Sequence, residues 1–191
     1  MNIEAKTAAT GEWETTHKPI VVAVDGSERN RTAVAWAAHE AAALGCELRL
    51  VNAVPDYVIP TPHYSVHSED SEVLDMLADI RSEQRDIVAE SAVSTRVVAG
   101  DPVDVLLGEA ASAALVVVGK RGLGGFSRAI VGSTSIALAG RSPVPVAIVP
   151  DKWEQAERVG RPVVLGVDPS KADEEPIQIA FLRARRLGVP L

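Results

Sequence analysis

Hydrophobic positions along the chain fall into two alternating kinds of run. Pro19 to Asp25 (Pro-Ile-Val-Val-Ala-Val-Asp) is continuously apolar and β-branched, and ends on a carboxylate. Such a run, without alternation, predicts a parallel strand covered on both faces. Gly26-Ser27 makes the turn, with Ser27 or Asn30 able to cap the next helix. That helix carries Val34, Ala37, Ala38, Ala41 and Leu44 on one stripe and stops at Gly45. A second strand is predicted from Glu47 to Val54, then a loop enforced by Pro55, Pro60 and Pro62 to about Ser68. Residues 69–91 read as an acidic amphipathic helix with Val73, Leu77, Ile80, Gln84 and Ile87 near one face. A short strand, Thr95 to Ala99, leads to Gly100-Asp101-Pro102, where Asp101 is a good cap and Pro102 suits the first helical position. The remaining elements are a helix over 102–113, a strand from Leu115 to Gly119, a glycine-rich loop, a helix from Gly132 to Gly140 and a strand from Val144 to Val149. Strands alternate with helices throughout, which predicts a five-stranded α/β sheet of mostly parallel strands.

The pattern then begins again. Arg161-Pro-Val-Val-Leu-Gly-Val-Asp168-Pro-Ser170 echoes Lys18-Pro-Ile-Val-Val-Ala-Val-Asp25-Gly-Ser27 at an offset of 143 residues. The echo continues through Ala37 and Ala180, Leu44 and Leu187, Gly45 and Gly188, and Leu48 and Leu191. The expected organisation is a polar arm over 1–17, a complete domain over 18–150, a linker over 151–160 and the first βα unit of a second copy over 161–191. One strand and one helix cannot bury an independent core, so this last piece is expected to dock elsewhere or to be disordered.

Composition narrows the function classes. With 47% hydrophobic and 24% charged residues, the 191-residue chain is that of a globular protein. Its net charge of -7 argues against nucleic acid or an anionic membrane as partner. No apolar run approaches the roughly 20 residues needed to cross a bilayer, the N-terminus lacks the apolar core of a secretory signal, and Cys46 stands alone without a disulfide partner. A cytoplasmic location is expected.

Charge distribution locates candidate chemistry. Between Glu109 and Asp151 there is no acidic residue, yet the window holds Lys120, Arg121, Arg128 and Arg141. This basic island coincides with Gly119, Gly122, Gly124, Gly125 and Gly132, in a domain (18–150) whose net charge is -5. Glycines let the backbone approach a ligand, and a helix starting at Gly132-Ser133-Thr134 aims its free N–H groups at the loop. The combination suits an anion, most naturally phosphate; a solvated turn with surface arginines is the plainer alternative. Asp25 ends the first strand, where open α/β sheets bind ligands. Its carboxylate suits a ribose hydroxyl or a phosphate-bound metal, or merely caps a helix.

The spacing Gly119-x2-Gly122-x9-Gly132-Ser133 resembles the ATP-binding signature of the universal stress protein family. Val-Val-Ala-Val-Asp-Gly-Ser, Leu-Val-Asn-Ala-Val, Gly-Asp-Pro and Val-Pro-Val-Ala-Ile-Val-Pro are similar to that family as well. The whole resembles an actinobacterial tandem-domain member with a partial second domain. The resemblance implies a Rossmann-like open sheet of order 3-2-1-4-5 with helices on both faces. It places adenine near Ala23 and Ala53, ribose near Asp25 and Gly119, and the phosphates of ATP, alone or with Mg, over Gly122, Gly132, Ser133 and Thr134. It implies a homodimer through the Val144–Val149 edge. Asn52 departs from the His that many relatives carry.

Competing chemistries find little support. There is no Gly-x4-Gly-Lys-Ser/Thr, the glycines do not form Gly-x-Gly-x-x-Gly, and no Gly-x-Ser-x-Gly is present. His63 and His67, near Glu69 and Asp70, lie in a proline-rich stretch that fixes no metal-ligand spacing. No general base is evident. The expected function is therefore regulatory nucleotide binding, with at most slow ATP hydrolysis, and the alternative is a dimerising interaction module whose glycine loop is structural.

Overall fold

A computed structural model describes residues 18–54, 67–120, 131–154, 159–168, 170 and 174–191, with side chains of the second helix described from residue 71. The chain divides between Trp153 and Glu154 into two compact units.

The first unit holds β1 (Ile20–Ala23), α1 (Arg31–Leu44), β2 (Leu48–Val54), α2 (His67–Glu83), β3 (Val93–Ala99), α3 (Pro102–Ala110), β4 (Leu115–Gly119), α4 (Ser133–Arg141) and β5 (Val146–Val149). All pairings are parallel. The order is β3-β2-β1-β4-β5, the five-stranded open sheet expected.

β1 explains why the apolar runs lack alternation. Ile20, Val22 and Val24 belong to one buried cluster with α1 and α2, whereas Val21 joins a second cluster with Leu106 and Ala110 of α3 and Leu138 of α4. On β4, Val117 faces the first cluster and Val116 and Val118 the second. With helices on both faces, each strand residue is inside whichever way it points. The alanine stripe of α1 (Ala33, Ala37, Ala38, Ala41) is fully buried, since a small side chain lets the helix backbone come close to the sheet. A charged network around the half-buried Arg49 and the buried Glu109 reaches the margin of this interior without loss of partners. Arg49 of β2 meets Glu47 and Glu109 at 3.3 Å each, and Glu109 also takes Arg96 at 2.7 Å.

The local signals worked where expected. Asp101 Oδ1 accepts from Val103 N at 2.9 Å with Pro102 in the first turn, and Gly45 closes α1 at φ 64°. Ser27 caps the short 3-10 turn Glu28–Asn30 that precedes α1, while the Asn30 side chain makes no helix cap.

Three expectations are corrected, besides a start of β3 at Val93 rather than Thr95 and an end of α3 at Ala110 rather than 113. α2 ends at Glu83, not near 91, because the backbone tightens into turns with Gln84 N on Arg81 O and Ile87 N on Gln84 O. Leu77, Ile80 and Gln84 are nonetheless buried as read. β5 begins at Val146 rather than Val144: Pro145 accepts from Val116 at 3.1 Å but has no N–H to return.

The third correction lies in the second unit. Among the described residues of this unit, 161–168, read as a strand, pair with no strand, and α5 (Glu174–Leu187) is the regular element.

Candidate functional site

β1 parts from both neighbours at its carboxyl end. Its ladder with β4 stops at Val22 opposite Val117. On the β2 side Val24 N still reaches Val51 O at 2.8 Å. The last two carbonyls of the run are then taken by side-chain amides. Asn30 Nδ2 donates to Ala23 O at 2.9 Å and Asn52 Nδ2 to Val24 O at 2.7 Å. Both asparagines are buried, so these two carbonyls have side-chain donors where the ladder with β4 has ended, as buried carbonyls require. Asp25 follows, with its Oδ1 accepting the Ser27 N–H at 2.9 Å. The reversal needs Gly26 at φ 76°, a left-handed conformation that glycine adopts without strain.

The adjacent β4 ends in a different arrangement. Lys120 N donates to Val149 O at 2.7 Å, extending the pairing with β5 by one residue. Gly132 N donates to Lys120 O at 2.8 Å, and Ser135 Oγ to Gly119 O at 2.9 Å. These two bonds set the start of α4 against the end of β4. Gly132 is the N-cap, extended at φ -70° and ψ 154°, and it provides no side chain to the helix. Among the described residues, the first N–H groups of α4, at Ser133 and Thr134, therefore lack the side-chain cap that Asp101 gives α3. An uncapped helix start carries about half a positive charge and open donors, which together favour an anion.

The fold thus brings most of the anticipated residues to one end of the sheet. Ala23 and Asp25 end β1, Gly119 ends its neighbour β4, and Gly132, Ser133 and Thr134 begin α4. Ala53 lies one strand away on β2, opposite Val98 of β3. Gly122 and its glycine and arginine neighbours in 121–130 lie outside the described residues, as does His63. Sequence reading missed the work of Asn30, Asn52 and Ser135. A lone amide inside the apolar run Leu-Arg-Leu-Val-Asn-Ala-Val was the available signal for Asn52.

Cys46 sits at the opposite end of the sheet. Burial pushes its thiol up from the ordinary range, which keeps it protonated and works against redox reactivity. Among the described residues no helix is long and apolar enough to cross a membrane.

With this geometry in hand, the comparisons with known proteins agree on one lineage. The sequence model of the Universal stress protein family matches residues 16–150. Universal stress protein Rv1996 of Mycobacterium tuberculosis is 31% identical over 196 residues, covering 92% of this chain. A universal stress protein of Mycolicibacterium smegmatis is 30% identical over 184 residues, covering 90%. The chain spans 62% and 61% of the length of these two relatives. Among solved structures, a universal stress protein in complex with cAMP is 27% identical, with a TM-score of 0.57 over 72% of this chain and all of that one. The Lactobacillus plantarum protein UspA shares the fold at 24% identity and a TM-score of 0.59, over 71% of this chain and 99% of that one. The chain belongs to the universal stress protein family.

Proposed function

We propose that the protein binds an adenine nucleotide, ATP in the first instance, at the carboxyl ends of β1 and β4, and that occupancy regulates a stress response without rapid turnover. The observation that carries this reading is the start of α4. Its donors lack a side-chain cap at Gly132, and two hydrogen bonds hold them beside the end of β4. A phosphate group fits such donors. The structure in complex with cAMP, at 27% identity, supports an adenine nucleotide as the ligand class.

In this reading the phosphates meet Gly122, Gly132, Ser133 and Thr134. The ribose lies near Asp25 and Gly119, and the adenine near Ala23 and Ala53. Mg, where it accompanies ATP, would offset phosphate charge, and Asp25 would be the carboxylate to hold it. Asp25 already has one oxygen engaged by Ser27, an arrangement suited to orienting a ligand rather than to moving protons. Catalysis is therefore not assigned.

Self-association through β5 is the accompanying proposal. β5 is an edge strand of the sheet, and Ile148 on it and Ile136 on α4 are exposed. A hydrophobic edge strand of this kind favours pairing with a second copy. If nucleotide binding fails while dimers persist, the interaction-module reading takes precedence.

Mass analysis of the supernatant after denaturing the purified protein tests the nucleotide directly. A stoichiometric adenine nucleotide supports the reading. Its absence, together with calorimetric affinity for added ATP weaker than about 1 mM, roughly -4 kcal/mol, sinks it.

A further inference from the structure

α2 closes over the turn that ends β1. Leu77 and Ile80 belong to the first buried cluster, and Val73 and Met76 pack against it. Met76 is only partly buried, and its helical neighbours Glu72, Asp75 and Asp79 are exposed. The side chain therefore stands at the rim of the core, with apolar packing on one flank and solvent on the other.

The atom that Met76 turns toward the strand end is its sulfur. A Cβ built on Gly26 would meet Sδ at 2.6 Å, whereas Cε and Cγ lie behind at 3.9 and 4.0 Å. The unbonded side of the thioether, which carries both lone pairs, thus faces the glycine. Gly26 itself adopts φ 76°, and the turn around it is closed by Ser27 N donating to Asp25 Oδ1 at 2.9 Å. An oxygen added to the sulfur takes one of those lone pairs. In this rotamer it is driven against the backbone between Asp25 and Ser27.

We propose that Met76 is an oxidation site that controls the Asp25 turn, with a hydroperoxide as the reagent. A sulfur lone pair attacks the terminal peroxide oxygen, and the S–O bond forms as the O–O bond breaks. The proton of the attacked oxygen passes to the leaving one, which departs as water or an alcohol. Sulfur loses two electrons and the peroxide gains them. The sulfoxide is polar and bulkier than the thioether, and it fits neither the apolar cluster nor the space over Gly26. Either Met76 swings into solvent or the turn gives way, and in both cases Asp25 loses its support. Reductases specific for methionine sulfoxide restore the thioether, so the change is reversible. The oxidation itself is independent of any ligand. Its effect on nucleotide affinity rests on the reading given under Proposed function.

The test treats the full chain, free of nucleotide, with hydrogen peroxide. Peptide mass analysis locates the added oxygen, and hydrogen exchange of the Ser27 amide reads the turn. The expected result is one oxygen on Met76 and Ser27 exchange faster by about tenfold or more, both reversed by methionine sulfoxide reductase. Met76→Leu conserves volume without sulfur, and its Ser27 amide does not respond to peroxide, which separates Met76 from Cys46. Met76→Gln, polar and unbranched, shows the fast exchange without peroxide. Titration with ATP follows, and the oxidised wild type binds at least tenfold more weakly than the reduced. If the reduced protein binds no ATP while Ser27 responds as stated, the nucleotide reading fails and the oxidation site stands. A Met76 sulfur that stays reduced under peroxide that converts free methionine overturns the proposal. So does a sulfoxide at Met76 with Ser27 exchange unchanged, an equal peroxide response in Met76→Leu, or ATP bound equally by the oxidised and reduced protein.

Discussion

Gly132 donates its backbone N–H to the carbonyl of Lys120 across 2.8 Å. Two residues twelve positions apart are thereby held together, and the start of α4 is fixed against the end of β4. The N-cap position itself is left without a side chain. A helix start that is positioned but uncapped is ready for an external anion.

Replacing Gly132 with Asp separates the two roles of that position. A carboxylate at the N-cap accepts from the helix N–H groups and, relative to glycine, favours the fold by only a few tenths of a kcal/mol. It also occupies the donors and places negative charge where a phosphate would sit. The expected outcome is a raised midpoint in urea denaturation with nucleotide affinity reduced at least tenfold. A stabilised variant that binds as the wild type does would show that the uncapped start is only structural.

Asn52 closes the end of β1 by giving its amide to Val24 O. Asn52→Ala leaves that buried carbonyl without a donor, at a cost of about 1–3 kcal/mol. Denaturant titration measures it, and a change within error of zero would mean that water replaces the amide fully.

Gly26 adopts φ 76°, and a Cβ built there comes within 2.6 Å of the Met76 sulfur. Gly26→Ala is expected to lose about 1–2 kcal/mol from the left-handed backbone alone, and more from displacing Met76. Comparing Gly26→Ala in the wild-type and Met76→Ala backgrounds isolates the contact. Equal losses in both backgrounds would show that Met76 moves aside freely.

Glu47 gives stability a pH dependence. Burial pushes its carboxyl up, but the Ser94 hydroxyl and the Arg49 guanidinium outweigh this and hold it below the ordinary value of 4.5. A lowered carboxylate contributes stability that is complete above its unfolded value and is lost as pH falls through the folded one. Glu47→Gln should therefore flatten the decline in melting temperature below pH 4.5. A decline unchanged in slope would assign the acid sensitivity to other carboxylates.

The parallel sheet was legible because burial on both faces leaves runs such as Ile20–Val24 apolar throughout, and because Gly45, Asp101 and Pro102 punctuate the helices. The end of α2 was not legible. Gln84 and Ile87 keep an inward spacing of three, which a succession of turns satisfies as well as a helix does. Residues 161–168 repeat the sequence of a strand, but a strand exists only with a neighbour to pair with. At the site, the turn after Asp25 and the helix start at Gly132 could be read directly. The Ser135 bond to Gly119 O could not, since a serine in the first turn of a helix looks the same whether it faces solvent or a strand.

Isothermal titration of ATP into the wild type and Gly132→Asp, side by side, tests the nucleotide site most directly. The expected result is saturable binding tighter than about 1 mM by the wild type and at least tenfold weaker binding by the variant. Equal affinities, or no heat from either protein, would contradict a nucleotide held at the start of α4.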